Sequence, residues 1–107
     1  MSVPLTQALG PMIVHKAMLT AGANHPTYQA GFEVRAQCFV NTEDETLAEG
    51  MLGRRLAELG WVDCHVVGTV ILPPDPDLSG LSAQALEAVR LAREIGVSLI
   101  VYAPELS

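Results

Sequence analysis

Positive charge is scarce in this chain. Six Lys and Arg stand against twelve Asp and Glu, for a formal net charge of −6 and a pI near 4.8. A protein that neutralises phosphates needs a basic patch, so nucleic acid is excluded as a partner. Phe39 and Tyr102 are candidates for an exposed sheet face, but aromatics make up only 5% of the chain and few cations accompany them. That is poor material for a base-stacking RNA platform.

Long hydrophobic runs are also missing. The stretches around Val66–Leu72 and Val97–Val101 hold about seven residues each, against the roughly 20 that a membrane helix needs. No Lys or Arg precedes the first apolar stretch, which argues against a secretory leader. Cysteine is limited to Cys38 and Cys64. Their spacing makes neither a disulfide framework nor a zinc motif. Two reduced thiols point to the cytoplasm by default. No Walker loop, dinucleotide fingerprint, C-x-x-C pair or nucleophile elbow is present. No cofactor is expected, and the protein is read as a non-enzyme.

What is there is apolar. Half of the 107 residues are hydrophobic and the mean hydropathy is +0.31. That is enough to offset the ordering entropy of one domain, expected over 1–107. The acidity is uneven. Residues 1–42 sum to about +1 and the remainder to about −7, with five acids between Glu43 and Glu58.

Pro11–Gly22 reads as a strand that is apolar on both faces, suited to burial on both sides or to a subunit contact. Gly22, Asn24, His25–Pro26 and Gly31 mark a loop. Phe32–Val40 alternates, with Phe32, Val34, Ala36, Cys38 and Val40 on one side and Glu33, Arg35, Gln37 and Phe39 on the other. Thr42 and Glu45 form a capping box for a helix to about Leu59. Its stripe is Ala48, Leu52, Leu56 and Leu59, flanked by Leu47 and Met51. Gly50 and Gly53 inside it suggest close approach to a sheet or a partner. Gly60 ends the helix.

Trp61–Leu72 is the next strand. Cys64, Val66, Gly68, Val70 and Leu72 are expected on one face, and Asp63, His65, Val67, Thr69 and Ile71 on the other. The run Pro73–Asp77 marks an element boundary. Ser79 or Ser82 caps a second helix to Ile95, with Leu81, Ala85, Val89, Ala92 and Ile95 as its stripe and Gly96 closing it. Val97–Ala103 is the last strand, ended by Pro104.

The order β-β-α-β-α-β predicts an α+β domain, a two-layer sandwich of four strands with both helices on one face. In outline it resembles the ferredoxin-like sandwich, although the helix between that fold's first two strands is missing. The uncovered face then carries Glu33, Arg35, Gln37, Asp63, His65, Thr69, Ser98 and Tyr102 among Phe39, Val67, Ile71 and Ile100. This mixture is more apolar than solvent alone requires.

Two functions follow. The first is a protein-interaction or accessory module acting as a homodimer, with another protein as a further partner. The second is a small-molecule site or minor enzyme built on Arg35, Asp63 and His65. There, His and Asp would orient a proton and Arg would hold an anion, with His25 and Tyr28 in the loop gating entry. The same three residues also fit an exposed cross-strand salt bridge beside a surface histidine. His15 and His65 with Asp63 or Glu33 could frame a metal only if their strands bring them together; no metal is expected. Trp61 is expected to pack under the helix end.

Overall fold

β1 (Met12–Ala21) is buried along nearly its whole length, with Lys16 its one exposed residue. A strand that is apolar on both faces needs a neighbour at each edge and a cover on each side. It has both neighbours. β2 (Glu33–Val40) pairs with it as an antiparallel hairpin, and β3 (Trp61–Leu72) pairs antiparallel on its other edge. β4 (Val97–Tyr102) then adds antiparallel to β2, so the order is β3-β1-β2-β4. The computed structural model describes residues 12–72 and 82–102. The proline-rich boundary at 73–77, Ser79, Leu81, residues 103–104 and the first eleven residues, where a leader was sought, lie outside them.

The fold is α+β, a four-stranded antiparallel sheet with two helices. The helices do not share a face as the sequence led us to expect. α1 (Glu45–Glu58) buries Ala48, Leu52 and Leu56 against Ile13, Ala17, Leu19, Val34, Ala36 and Cys38. α2 (Ala83–Ile95) buries Ala88, Val89 and Ala92 against Met12, Val14, Phe39 and Ile100. The two sets alternate along β1 and β2, so the helices lie on opposite faces. The reason is the double-sided apolar character of β1, which a single layer of helix would leave half exposed. The hairpin-centred strand order departs from the ferredoxin-like outline as well.

Local chemistry sets the helix ends. Asp44, not Thr42, is the α1 cap: its carboxylate accepts from the Leu47 amide at 3.0 Å. Thr42 instead accepts from the Asp44 amide at 3.1 Å, shaping the turn that precedes the helix. Ser82 caps α2 by accepting from the Ala85 amide. Ile95, expected in the α2 stripe, is exposed. Arg93 donates to the Asn41 side chain at 2.7 Å and the Asn41 amide donates to the Gly96 carbonyl, tying α2 to the turn after β2. Ser98 is buried and its hydroxyl donates to the Ala88 carbonyl. Gly50 and Gly53 face open space, so no close approach among the described residues explains them.

β3 carries an irregularity that changes its faces. Lys16 pairs with Gly68 and Ala17 with Val66, leaving Val67 as an extra residue. This bulge inverts the alternation. Cys64 and Val66 lie on the α1 face, while Gly68, Val70 and Leu72 lie on the α2 face. The single-face set expected from the sequence is thereby divided.

Leu52→Ala should cost about 3 kcal/mol in urea unfolding, the usual loss for a buried leucine. Leu47→Ala, at a side chain 55% exposed, should change little. Gly50→Ala should stabilise by up to about 1 kcal/mol, because a methyl there meets nothing.

Burial pushes the Cys38 thiol up to about 12, with Cys64 nearby adding to the effect. Burial, then Asp63, raises Cys64 as well. A thiol whose folded pKa is raised contributes stability below its unfolded pKa, near 9, and that contribution is lost as pH rises toward 12. Stability should therefore fall through this window, and Cys38→Ala should flatten the fall. Thiol reagents should label half-buried Cys64 first and Cys38 only on unfolding.

Candidate functional site

The α2 face of the sheet is a grid set by the pairing register. Val70, Val14, Phe39 and Ser98 form one row. Gly68, Lys16, Gln37 and Ile100 form the next, and His65, Met18, Arg35 and Tyr102 the one after. Asp63, Thr20 and Glu33 close the grid. α2 packs over the end with Val14, Phe39 and Ile100. Among the described residues nothing covers the other end.

Arg35, Asp63 and His65 share the α2 face at the end that α2 does not reach, whereas the sequence led us to expect them on a face free of helices. They do not form one cluster. Met18 stands between Arg35 and His65 in the register. The Asp63 carboxylate accepts from the Cys64 amide at 2.9 Å, turning toward its own strand. Among the described residues the ion pairs are Arg55–Glu58, Arg90–Glu87 and Arg90–Glu94, all within helices and all exposed. Such pairs contribute little to stability. Lys16 and Arg35 have no acidic partner among the described residues. A concavity of about 660 Å³ lies between them, lined by Lys16, Met18, Arg35, Gln37, Val67 and Tyr102. The Tyr102 hydroxyl donates to the Gln37 side chain at 3.0 Å across one wall.

His25 and Tyr28 lie elsewhere. Their loop folds against the start of β3 on the α1 side, where Tyr28 packs on the core that holds Trp61. The His25 ring sits 4.3 Å from Trp61 and 5.3 Å from Tyr28, and Tyr28 stacks on Phe32. The Thr27 and Tyr28 amides both donate to His25 Nδ1 at 3.1 Å. The ring thus closes its own turn, with Nδ1 unprotonated as the acceptor. The Gly22 amide donates to the Gly60 carbonyl at 2.8 Å, fastening the loop to the α1–β3 corner. This arrangement puts the loop on the opposite side of the sheet from Arg35, Asp63 and His65.

The two strand histidines also separate. His15 lies on the α1 face and His65 on the α2 face. His15 is only 5% exposed, its Nδ1 bonds the Thr69 hydroxyl at 3.0 Å, and its Nε2 is buried without a partner among the described residues. Among the described residues no three His, Cys, Asp or Glu side chains gather as metal ligands. No described helix is long and apolar enough to cross a membrane.

The sequence pattern alone did not reveal the character of β3. Val62, Val67 and Ile71 are 70%, 64% and 53% exposed, and Val66 and Val70 are also exposed. β3 is an outer strand of the sheet, so one side of its backbone ladder faces outward as well. The signal was there: twelve residues without Lys, Arg or Pro, rich in valine. Comparison with known proteins gives no match to any family model, curated protein or solved structure.

Gly60 has φ +93°, and a Cβ there would meet His25 Cα at 2.9 Å. Gly60→Ala should cost about 2 kcal/mol from the left-handed backbone alone. It should also raise loop amide exchange at Thr27 and Tyr28. Unchanged exchange in a folded variant would refute the corner lock.

Proposed function

We propose that this protein is a non-catalytic interaction module that assembles with a second copy through the outer edge of β3. It acts as an accessory or regulatory subunit in the reducing cytoplasm, where Cys38 and Cys64 stay free thiols. The observation that carries this reading is the exposed valine-rich surface of β3 on both faces of an edge that is unpaired among the described residues. Natural edges are usually protected by short length, Lys, Pro or a bulge. β3 is twelve residues long, without Lys or Pro, and carries register shifts at Val62 and Val67 and one acid, Asp63.

Antiparallel pairing of two copies about a two-fold axis continues the sheet and satisfies the outward ladder. It places apolar neighbours beside Val66 and Ile71 on one face and beside Val67 and Val70 on the other. An edge with these residues paired is covered; left alone, it is an aggregation hazard.

The test is light scattering during size exclusion at micromolar concentration. The wild type should run at about twice the 11.4 kDa chain mass. Val62→Lys with Ile71→Lys, both exposed in the single chain, should return it to the chain mass with unchanged circular dichroism. A wild type at 11.4 kDa over the whole range rejects the assembly.

A further inference from the structure

The uncovered end of the α2 face supports a second role that does not depend on β3 pairing. From the concavity between Lys16 and Arg35 we infer a binding site for a small amphipathic monocarboxylate, with its carboxylate between the two cations and its apolar body over Met18, Val67 and Tyr102.

Charge complementarity selects the ligand. The chain carries −6 overall, and here two cations face one concavity with no acidic partner among the described residues. Lys16 stands opposite Gln37 and Arg35 opposite Met18, so the two are diagonal neighbours on adjacent strands. Diagonal pairs stand about 7–8 Å apart at the backbone, within reach of long side chains that converge on one anion. Arg35 brings a planar fork matched to a carboxylate, and Lys16 brings a point charge.

The rest of the wall sets the remainder of the ligand. Met18 is half-buried beneath the site, and Val67 and Tyr102 stand exposed at its sides. Met adapts to varied shapes, and the Tyr102 ring offers a flat face. The Tyr102 hydroxyl is held by Gln37, which fixes the ring at the rim. The bulge presents Val67 on this face. Gly68 adds no side chain beside it; a methyl at that position would lie 4.0 Å from Lys16 Cδ, in space now left open. Glu33 is the nearest acid along β2, one register row beyond Arg35, and makes no ion pair with it. His65 and Asp63 lie on the far side of Met18 and Thr20. A single negative charge suits this balance of two cations and apolar walls better than a doubly charged phosphate, which demands more donors.

Amide-resolved NMR titration with phenylbutyrate, and in parallel with its neutral amide, tests the site in the full chain. Phenylbutyrate should shift the amides of Lys16, Met18, Arg35, Gln37 and Tyr102 in a saturable way. The neutral amide should bind about tenfold more weakly. Arg35→Gln and Lys16→Gln, both at exposed positions, should each weaken phenylbutyrate several-fold and leave the amide unaffected. Arg54→Gln on α1 should change neither. Equal binding of the two probes, shifts centred elsewhere, no saturable binding, or a folded Arg35→Gln with wild-type affinity each overturns the inference. Chain mass measured in the same samples separates this result from the assembly through β3.

Discussion

Burial of β1 on both faces and pairing on both of its edges is the constraint from which the rest of the molecule follows. A strand carrying Ile13, Ala17 and Leu19 on one side and Met12 and Val14 on the other has no solvent-tolerant face over its first half. Two neighbours complete its ladder, and two helices complete its cover. The central hairpin, the outward position of β3 and β4, and the division of the helices between faces all answer that one requirement. The hydrophobic half of the composition finds its place in the same way, since a sheet clad on two sides buries more than one clad on one.

The cover is uneven. α1 spans its face from the turn after Val40 to the corner at Trp61, and the aromatic loop extends the cladding there. α2 reaches only one end of the other face. The uncladded end is where the polar residues of β1 and β2 collect, with Lys16, Arg35 and Gln37 in place of the valines and Phe39 further along. Sequence and packing agree at this boundary: polarity begins where the helix stops.

Much of the architecture was legible in the residues. The alternation of Phe32–Val40 gave β2 nearly to the residue, and Gly60 and Gly96 marked both helix ends. The stripe Ala48, Leu52 and Leu56 was correct because its period is local. What failed depended on contacts distant in sequence. The faces of β3 could not be assigned, because strict alternation hides a bulge that only the pairing with Lys16 and Ala17 reveals. The helix faces could not be assigned either, since an amphipathic stripe says that a helix packs but not on which side. Among the site residues, only the common face of Asp63 and His65, two apart on β3, was readable; whether Arg35 shares it turns on the bulge. The separation of Arg35 from His65 by Met18 was not readable, nor was the docking of His25 and Tyr28 on Trp61.

The extra residue in β3 has a consequence for how this sequence can vary. Between a second shift at Val62 and the bulge at Val67, the strand's inside and outside depend on that insertion being accommodated as a bulge. Loss of the Val67 codon would leave a regular strand with Gly68 still opposite Lys16 and Val66 opposite Ala17, whereas strict alternation with Val67 retained would send Asp63 and His65 toward Leu19 and the α1 core. The extra residue is accommodated only as a bulge; paired in register, it would turn the upstream part of the strand inside out. Over evolutionary time, a one-residue loss is therefore expected to be accepted at position 67 more readily than among the paired residues 64–66, where it would move Asp63 opposite Leu19.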